Sequence, residues 1–311
     1  MRTGLTSVAV AVVLAAVAGA PVTIAPPVTP VEPPGTATTV AASAPLDAAS
    51  VLADAVGGLR DPADEAADLA VGAVLEHELA GLGADVSVAV MDVESGAELV
   101  AGRTVVEAAS TVKVDIVATL LLGQDGRPPR QQRALAREAI EVSGNEATDA
   151  LLALAGRDDV NAFLSRVGAV DTRLETSEWG RAETTATDRL RVLQATLGPD
   201  SLLDEQDQRM LRRLMRDVTE EQRIGVDAAA DDPASALLKA GYLPDADSDR
   251  WYVSSMGEVV RDGRTYLVAV VSAGNEGLED GTDRIEKAAV LAVDAVASLA
   301  ATGERSEGGS G

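Results

Sequence analysis

The sequence predicts an α+β domain in which an antiparallel sheet is flanked by N- and C-terminal helices and interrupted by an all-helical half. Three observations predict it. Strand-like runs occur twice, around a Glu94-Ser95-Gly96 turn and again beyond Lys239. Everything between them carries helical periodicity, and an amphipathic segment closes the chain.

The elements follow in order. Residues 1–20 have a basic start at Arg2, an apolar run from Val8 to Val17 and the small residues Ala18-Gly19-Ala20. That is the plan of a secretory signal peptide, and the run is short for an uncleaved membrane anchor. Residues 21–48, rich in Pro, Thr, Val and Ala, read as an extended tether. The domain is expected over 49–302, with residues 303–311 as a disordered tail. Asp61-Pro62 is a cap followed by a first-turn proline, opening a helix to about Leu79. Val86–Val93 and Ala97–Val100 form a hairpin with Val86, Val88 and Val90 on one face. Helices are expected over Thr111–Leu122, Gln131–Val142, Glu146–Ala155, Val160–Val167, Thr187–Leu197 and Asp204–Val218. Strands return over Arg250–Val260 and Tyr266–Ser272, joined at Asp262-Gly263. The last helix, about Asp283–Ala301, buries Ile285, Ala289, Val293 and Val296.

Composition limits the chemistry. The 311 residues include no Cys, one His (His77) and only three Lys (Lys113, Lys239, Lys287) beside 23 Arg. Thiol nucleophiles, disulfides and Cys-ligated metals are excluded, and a single imidazole argues against a His-rich metal site. No cofactor is expected. A net charge of −24 disfavours nucleic acid and anionic membranes as partners. Aromatics at 2% leave Ala, Val and Leu to fill the core.

The scarce lysines are therefore informative. Lys113 follows Ser110 by three residues at a helix start, so the two share a face and the ammonium can reach the hydroxyl. A serine at the positive end of a helix beside a desolvated lysine is an activated nucleophile, although the same pattern also fits an N-capping serine with a solvated lysine. Ser143-Gly144-Asn145 lies between two helical segments, where it presents a hydroxyl and an amide or simply caps a helix. Lys239-Ala240-Gly241-Tyr242 leads into the returning strands. Gly241 there lets a substrate backbone approach closely or serves an ordinary loop.

In this order and context the three elements resemble the Ser-x-x-Lys, Ser-Asp-Asn and Lys-Thr-Gly set of class A β-lactamases and penicillin-binding proteins. The resemblance extends from about Asp61 to Ala301 and implies a β-lactamase/transpeptidase-like fold and a small-molecule or peptide-like amide or ester substrate. It implies that Ser110 is acylated, that Lys113 is its base or proton relay, and that Ser143 passes a proton to the leaving group. Asn145 would hold Lys113 and the substrate amide. Lys239 would attract a substrate carboxylate, and backbone N–H groups of Ser110 and Tyr242 would meet the oxyanion.

Departures from the pattern bear on activity. Gly144 replaces an Asp, Ala240 replaces a hydroxyl-bearing residue, and the stretch between Lys113 and Ser143 is short. After Arg173-Leu174 the family carries a long Ω-loop with a Glu-x-x-Leu-Asn element whose Glu activates the deacylating water. Here ETSEWGRAETT runs almost directly into a helix. Glu175, Glu178 and Glu183 read as surface carboxylates, and His77 as a surface or packing residue. The expectation is a secreted serine hydrolase, associated with the cell wall, with slow deacylation. The alternatives are a true β-lactamase with a relocated Glu, or a non-catalytic binding module on the same scaffold.

Overall fold

The computed structural model describes residues 62–83, 85–124 and 128–308. The leader, the tether, the domain start at residue 49, the cap Asp61 and residues 309–311 lie outside the described residues. The first helix, α1, spans Pro62–Ala80, and exposed His77 sits in its last turn. The hairpin follows as β1 (Asp85–Asp92) and β2 (Glu98–Ala101). A two-residue strand β3 (Val106–Glu107) leads to a 3-10 turn at Ala109–Val112 and helix α2 (Lys113–Leu122). The helical half continues with α3 (Arg130–Glu141), α4 (Asn145–Ala155) and α5 (Arg157–Arg166). A 3-10 turn at Trp179–Arg181 and strand β4 (Glu183–Thr184) precede α6 (Ala186–Leu197) and α7 (Glu205–Arg216). Strands β5 (Leu237–Pro244), β6 (Trp251–Arg261) and β7 (Arg264–Asn275) then lead into α8 (Leu278–Gly308).

The five long strands form one antiparallel sheet in the order β2-β1-β7-β6-β5, so the last strand lies between the first and the sixth. Val86, Val88 and Val90 are buried as expected, but so are Ser87 and Ala89 between them. Helices cover both faces: α8 packs on β1, β6 and β7, and α6 packs on the same three strands. The β6–β7 link is a two-residue turn in which Asp262 and Gly263 have φ of 51° and 74°. That pair of left-handed residues matches the twist of a tight hairpin.

Ile285, Ala289, Val293 and Val296 are all fully buried on α8. This helix begins at Leu278 and continues to Gly308, so residues 303–308 are helical where the sequence predicts a disordered tail. Glu304, Arg305 and Glu307 are good helix formers and outweigh Gly303.

A buried polar network locks α2 to α6. Arg189 donates through Nη1 to both carboxylate oxygens of Asp115, at 2.9 and 2.8 Å. Its Nη2 donates to Thr172 Oγ1, which donates in turn to Asp188 Oδ2 at 2.6 Å. Arg189 and Asp115 are 1% and 0% exposed, so the pair is held by geometry rather than solvent. Burial pushes the Asp115 carboxyl up to about 6 despite the adjacent guanidinium. Since Asp115 is two residues beyond Lys113, this network fixes the helix that carries the first motif.

Candidate active site

Ser110 stands in the 3-10 turn that feeds α2, one turn earlier than a regular helix start. The preceding residue, Ala109, has φ of 48°, a left-handed conformation that costs a non-glycine residue about 1 kcal/mol or more. Its neighbours hold it there. Ala108 N donates to Ala182 O at 2.7 Å, and both the N–H and the hydroxyl of Thr111 donate to Ala108 O. Behind this turn runs β5, an edge strand of the sheet. A Cβ on Gly241 would lie 2.8 Å from Ser110 N and 2.9 Å from both Ala108 O and Thr111 N. The glycine therefore admits the chain's own Ser110 turn. Half-buried Tyr242 follows it on the strand.

The three motifs converge on one hydroxyl. Ser143 Oγ donates to Ser110 Oγ at 2.9 Å. Lys113 Nζ donates to Ser143 Oγ at 3.0 Å, to Ser143 O at 2.6 Å and to Asn145 Oδ1 at 2.9 Å. Lys239 Nζ, from β5, donates to the same Ser143 Oγ at 3.1 Å and to Ala240 O at 2.9 Å. The hydrogen-bond chain from Lys113 to Ser110 thus runs through Ser143 instead of along the shared helix face. Ser143 is itself left-handed, with φ of 58°, and the bond from Lys113 to its carbonyl pins it. At Gly144 a Cβ would meet Glu138 Cγ at 2.9 Å and Glu138 O at 3.2 Å, so the side chain and carbonyl of Glu138 take up the space an Asp side chain would need. Gly144 N donates to Glu138 O, and Gly144 O accepts from the Thr148 N–H and hydroxyl.

Both lysines are fully buried. Burial pushes the Lys113 ammonium down to about 8, with Asp149 pulling the other way. Lys239 is pushed down to about 7 by burial and by the neighbouring Lys113 charge. Two ammoniums facing one hydroxyl repel each other, so near neutral pH a neutral amine becomes accessible at this site. A neutral lysine accepts a proton, and the Ser143 hydroxyl can rotate to pass one on.

Trp179 covers this group. Its ring centroid lies 5.0 Å from Lys113 Nζ, and its Nε1 donates to Asp149 Oδ1 at 2.8 Å. The flanking residues clamp the same turn. Gly180 packs on the Ala109 backbone, with its Cβ position 3.7 Å from Ala109 Cα, and Arg181 Nη1 meets Glu107 Oε2 at 2.6 Å. The β3–β4 ladder completes the attachment. Glu175, Glu178 and Glu183 are all exposed, and Glu178 lies 4.0 Å from Arg181. The carboxylate coupled to Lys113 is Asp149, one turn beyond Asn145 on α4. Neither Trp179 nor Asp149 belongs to a sequence motif. Trp179 is one of only two tryptophans, so the scarcity that singled out the lysines also marks it.

The model of the β-lactamase enzyme family matches residues 124–296, more than half of the chain. The chain belongs to the β-lactamase enzyme family. The match contains Ser143, Asn145 and Lys239, whereas Ser110 and Lys113 precede it. Among solved structures, the chain is similar to a variant of the TLA-1 extended-spectrum β-lactamase, at 15% identity and a TM-score of 0.64, covering 73% of this chain and 98% of the other. A PBP-A variant, solved as its acyl-enzyme with penicillin G, is 19% identical with a TM-score of 0.62, covering 74% and 97%. A class A β-lactamase from Bacteroides cellulosilyticus is 17% identical with a TM-score of 0.62, covering 73% and 99%. No curated protein matches the sequence. The likenesses establish a class A β-lactamase-like fold, and the family is one of hydrolases.

Proposed function

We propose that this β-lactamase-family hydrolase acylates Ser110 with an amide or ester substrate of the β-lactam or peptidoglycan-related kind. The observation that carries the reading is the hydrogen-bond chain Lys113–Ser143–Ser110, which ends on an amine whose pKa is lowered to about 8. Neutral Lys113 takes the Ser143 hydroxyl proton as Ser143 takes that of Ser110, and Ser110 Oγ attacks the carbonyl carbon. The backbone N–H groups of Ser110 and Tyr242 are the proposed donors to the oxyanion. When the tetrahedral intermediate collapses, the proton returns through Ser143 to the departing amine or alkoxide. Asn145 orients Lys113 and contacts the substrate amide, while Lys239 supplies positive potential. Ala240 offers no hydroxyl to a substrate carboxylate, so recognition of that group rests on Lys239 alone.

Deacylation is slow in this reading. Trp179 lies over Lys113, and the N–H at its ring edge donates to the Asp149 carboxylate. A water poised beside the base would need the space the ring occupies. The N-terminal pattern of residues 1–20 supports secretion, and the tether over 21–48 suits a protein working at the cell wall. The test is the lifetime of the adduct formed with a fluorescent penicillin and with a small fluorophosphonate. An adduct lasting hours is expected with at least one probe. Rapid turnover of nitrocefin would overturn slow deacylation, and failure to label with either probe would overturn the reading as a whole.

A further inference from the structure

A chain with nearly twice as many acidic as basic residues gathers five arginines along one groove, none of them part of the serine–lysine motifs. Arg130, Arg133 and Arg137 recur at three- and four-residue intervals on α3, and Arg209 and Arg213 are four apart on α7. The two helices pack against each other, and between them lies a groove of about 700 Å³ lined by all five guanidinium groups and by no acidic residue. All five are exposed. Glu141 engages Arg137 and Glu205 engages Arg209, each from the same helix, and Arg133 donates to Pro128 O. Among the described residues no carboxylate is paired with Arg130 or Arg213.

Like charges three or four apart on a helix repel, and here two such rows face one another. A bound anion relieves that repulsion, and guanidinium pairs present parallel donors to phosphate oxygens. The α3 row runs seven residue steps from Arg130 to Arg137, about 10 Å of helix rise, which is longer than one phosphate. Met210 and Leu214 line the same groove and give it apolar surface suited to carbon spacers between phosphates. No aromatic residue lines the groove, so it offers no platform for stacked bases, and the −24 net charge repels a long polyanion.

We infer that the α3–α7 groove binds a short phosphodiester chain with aliphatic or polyol spacers. This site is independent of acylation at Ser110. It is tested by isothermal titration of the full chain with a glycerol-phosphate hexamer, in parallel with the Arg130→Gln/Arg213→Gln double variant. The wild type should bind saturably, and the double variant should bind at least tenfold more weakly, with the salt dependence of binding reduced by about 1.4 in log–log slope for two lost contacts at the single-strand value. Both side chains are exposed, so an unchanged melting temperature should confirm that the variant is folded. The Ser110→Ala variant should bind like wild type. Absence of saturable binding would overturn the inference. So would equal affinity in the double variant, or equally tight binding of a hexaglutamate peptide or an RNA hexamer.

Discussion

Asp149→Asn isolates the electrostatics of the proposed base. The amide keeps an oxygen that can accept from Trp179 Nε1, so the indole stays in place while the charge is removed. Adding the 5.0 Å from Lys113 Nζ to the ring centroid, the half-width of the indole and the 2.8 Å bond puts the carboxylate within about 10 Å of the amine. A unit charge at that distance contributes about 0.4 kcal/mol in water and about 0.8 kcal/mol at an effective dielectric constant of 40. Those figures correspond to about 0.3 to 0.6 pH unit. Asp149 favours the ammonium form, so its removal must lower the pKa of Lys113 from about 8. The assay is the second-order rate constant for acylation measured from pH 6 to 9. With the uncharged fluorophosphonate, whose acylation needs no charge on Lys239, the wild-type rate should rise about tenfold per pH unit on the acid side and bend near pH 8. In the variant the bend should move to about pH 7.4–7.7, which makes acylation at pH 7 about two- to threefold faster. A flat wild-type profile, or a variant bend at higher pH, would refute the assignment of Lys113 as the base.

Further predictions rest on packing. Gly241→Ala puts a methyl within 3 Å of three backbone atoms of the nucleophile turn, none of which can rotate away. Acylation should fall about 10- to 100-fold while the fold persists by circular dichroism, and wild-type rates would contradict the close approach. Asp115→Ala strands the buried Arg189 guanidinium and should cost about 3–5 kcal/mol in urea denaturation. Arg189→Met should cost less, because Asp115, already raised to about 6, can take up a proton, and an equal or larger loss would refute that asymmetry. Trp179→Ala should shorten the acyl-enzyme lifetime severalfold by admitting water beside Lys113. An unchanged lifetime with labelling intact would remove the ring from the account of slow deacylation.

Much of this architecture is legible in the sequence because its elements are long and periodic. The α8 stripe at Ile285, Ala289, Val293 and Val296 is buried as a 3.6-residue repeat requires, and the valines of β1 lie in the core. The serines and lysines of the three motifs are legible through order and the rarity of lysine, and they do converge on Ser143 Oγ. What stays hidden is decided by contacts between distant segments. The β3–β4 ladder is two residues long, too short for any alternation, and forms because the Trp179–Arg181 turn docks on the Ala109 backbone. The left-handed backbone of Ala109 and Ser143 runs against the preference of either residue; it is held by bonds that Ala108 donates to Ala182 and accepts from Thr111, and by the bond from Lys113 to Ser143 O. The steric role of Gly241 likewise depends on which segment stands behind it, which the glycine alone does not specify.

The central claim is that Ser110 is the atom acylated. Intact-mass spectrometry of the protein after incubation with a fluorescent penicillin or a small fluorophosphonate tests it directly against Ser110→Ala. One adduct per chain in the wild type, absent from Ser110→Ala, is the predicted result. An adduct of equal yield in both proteins, or no adduct in either, would contradict it.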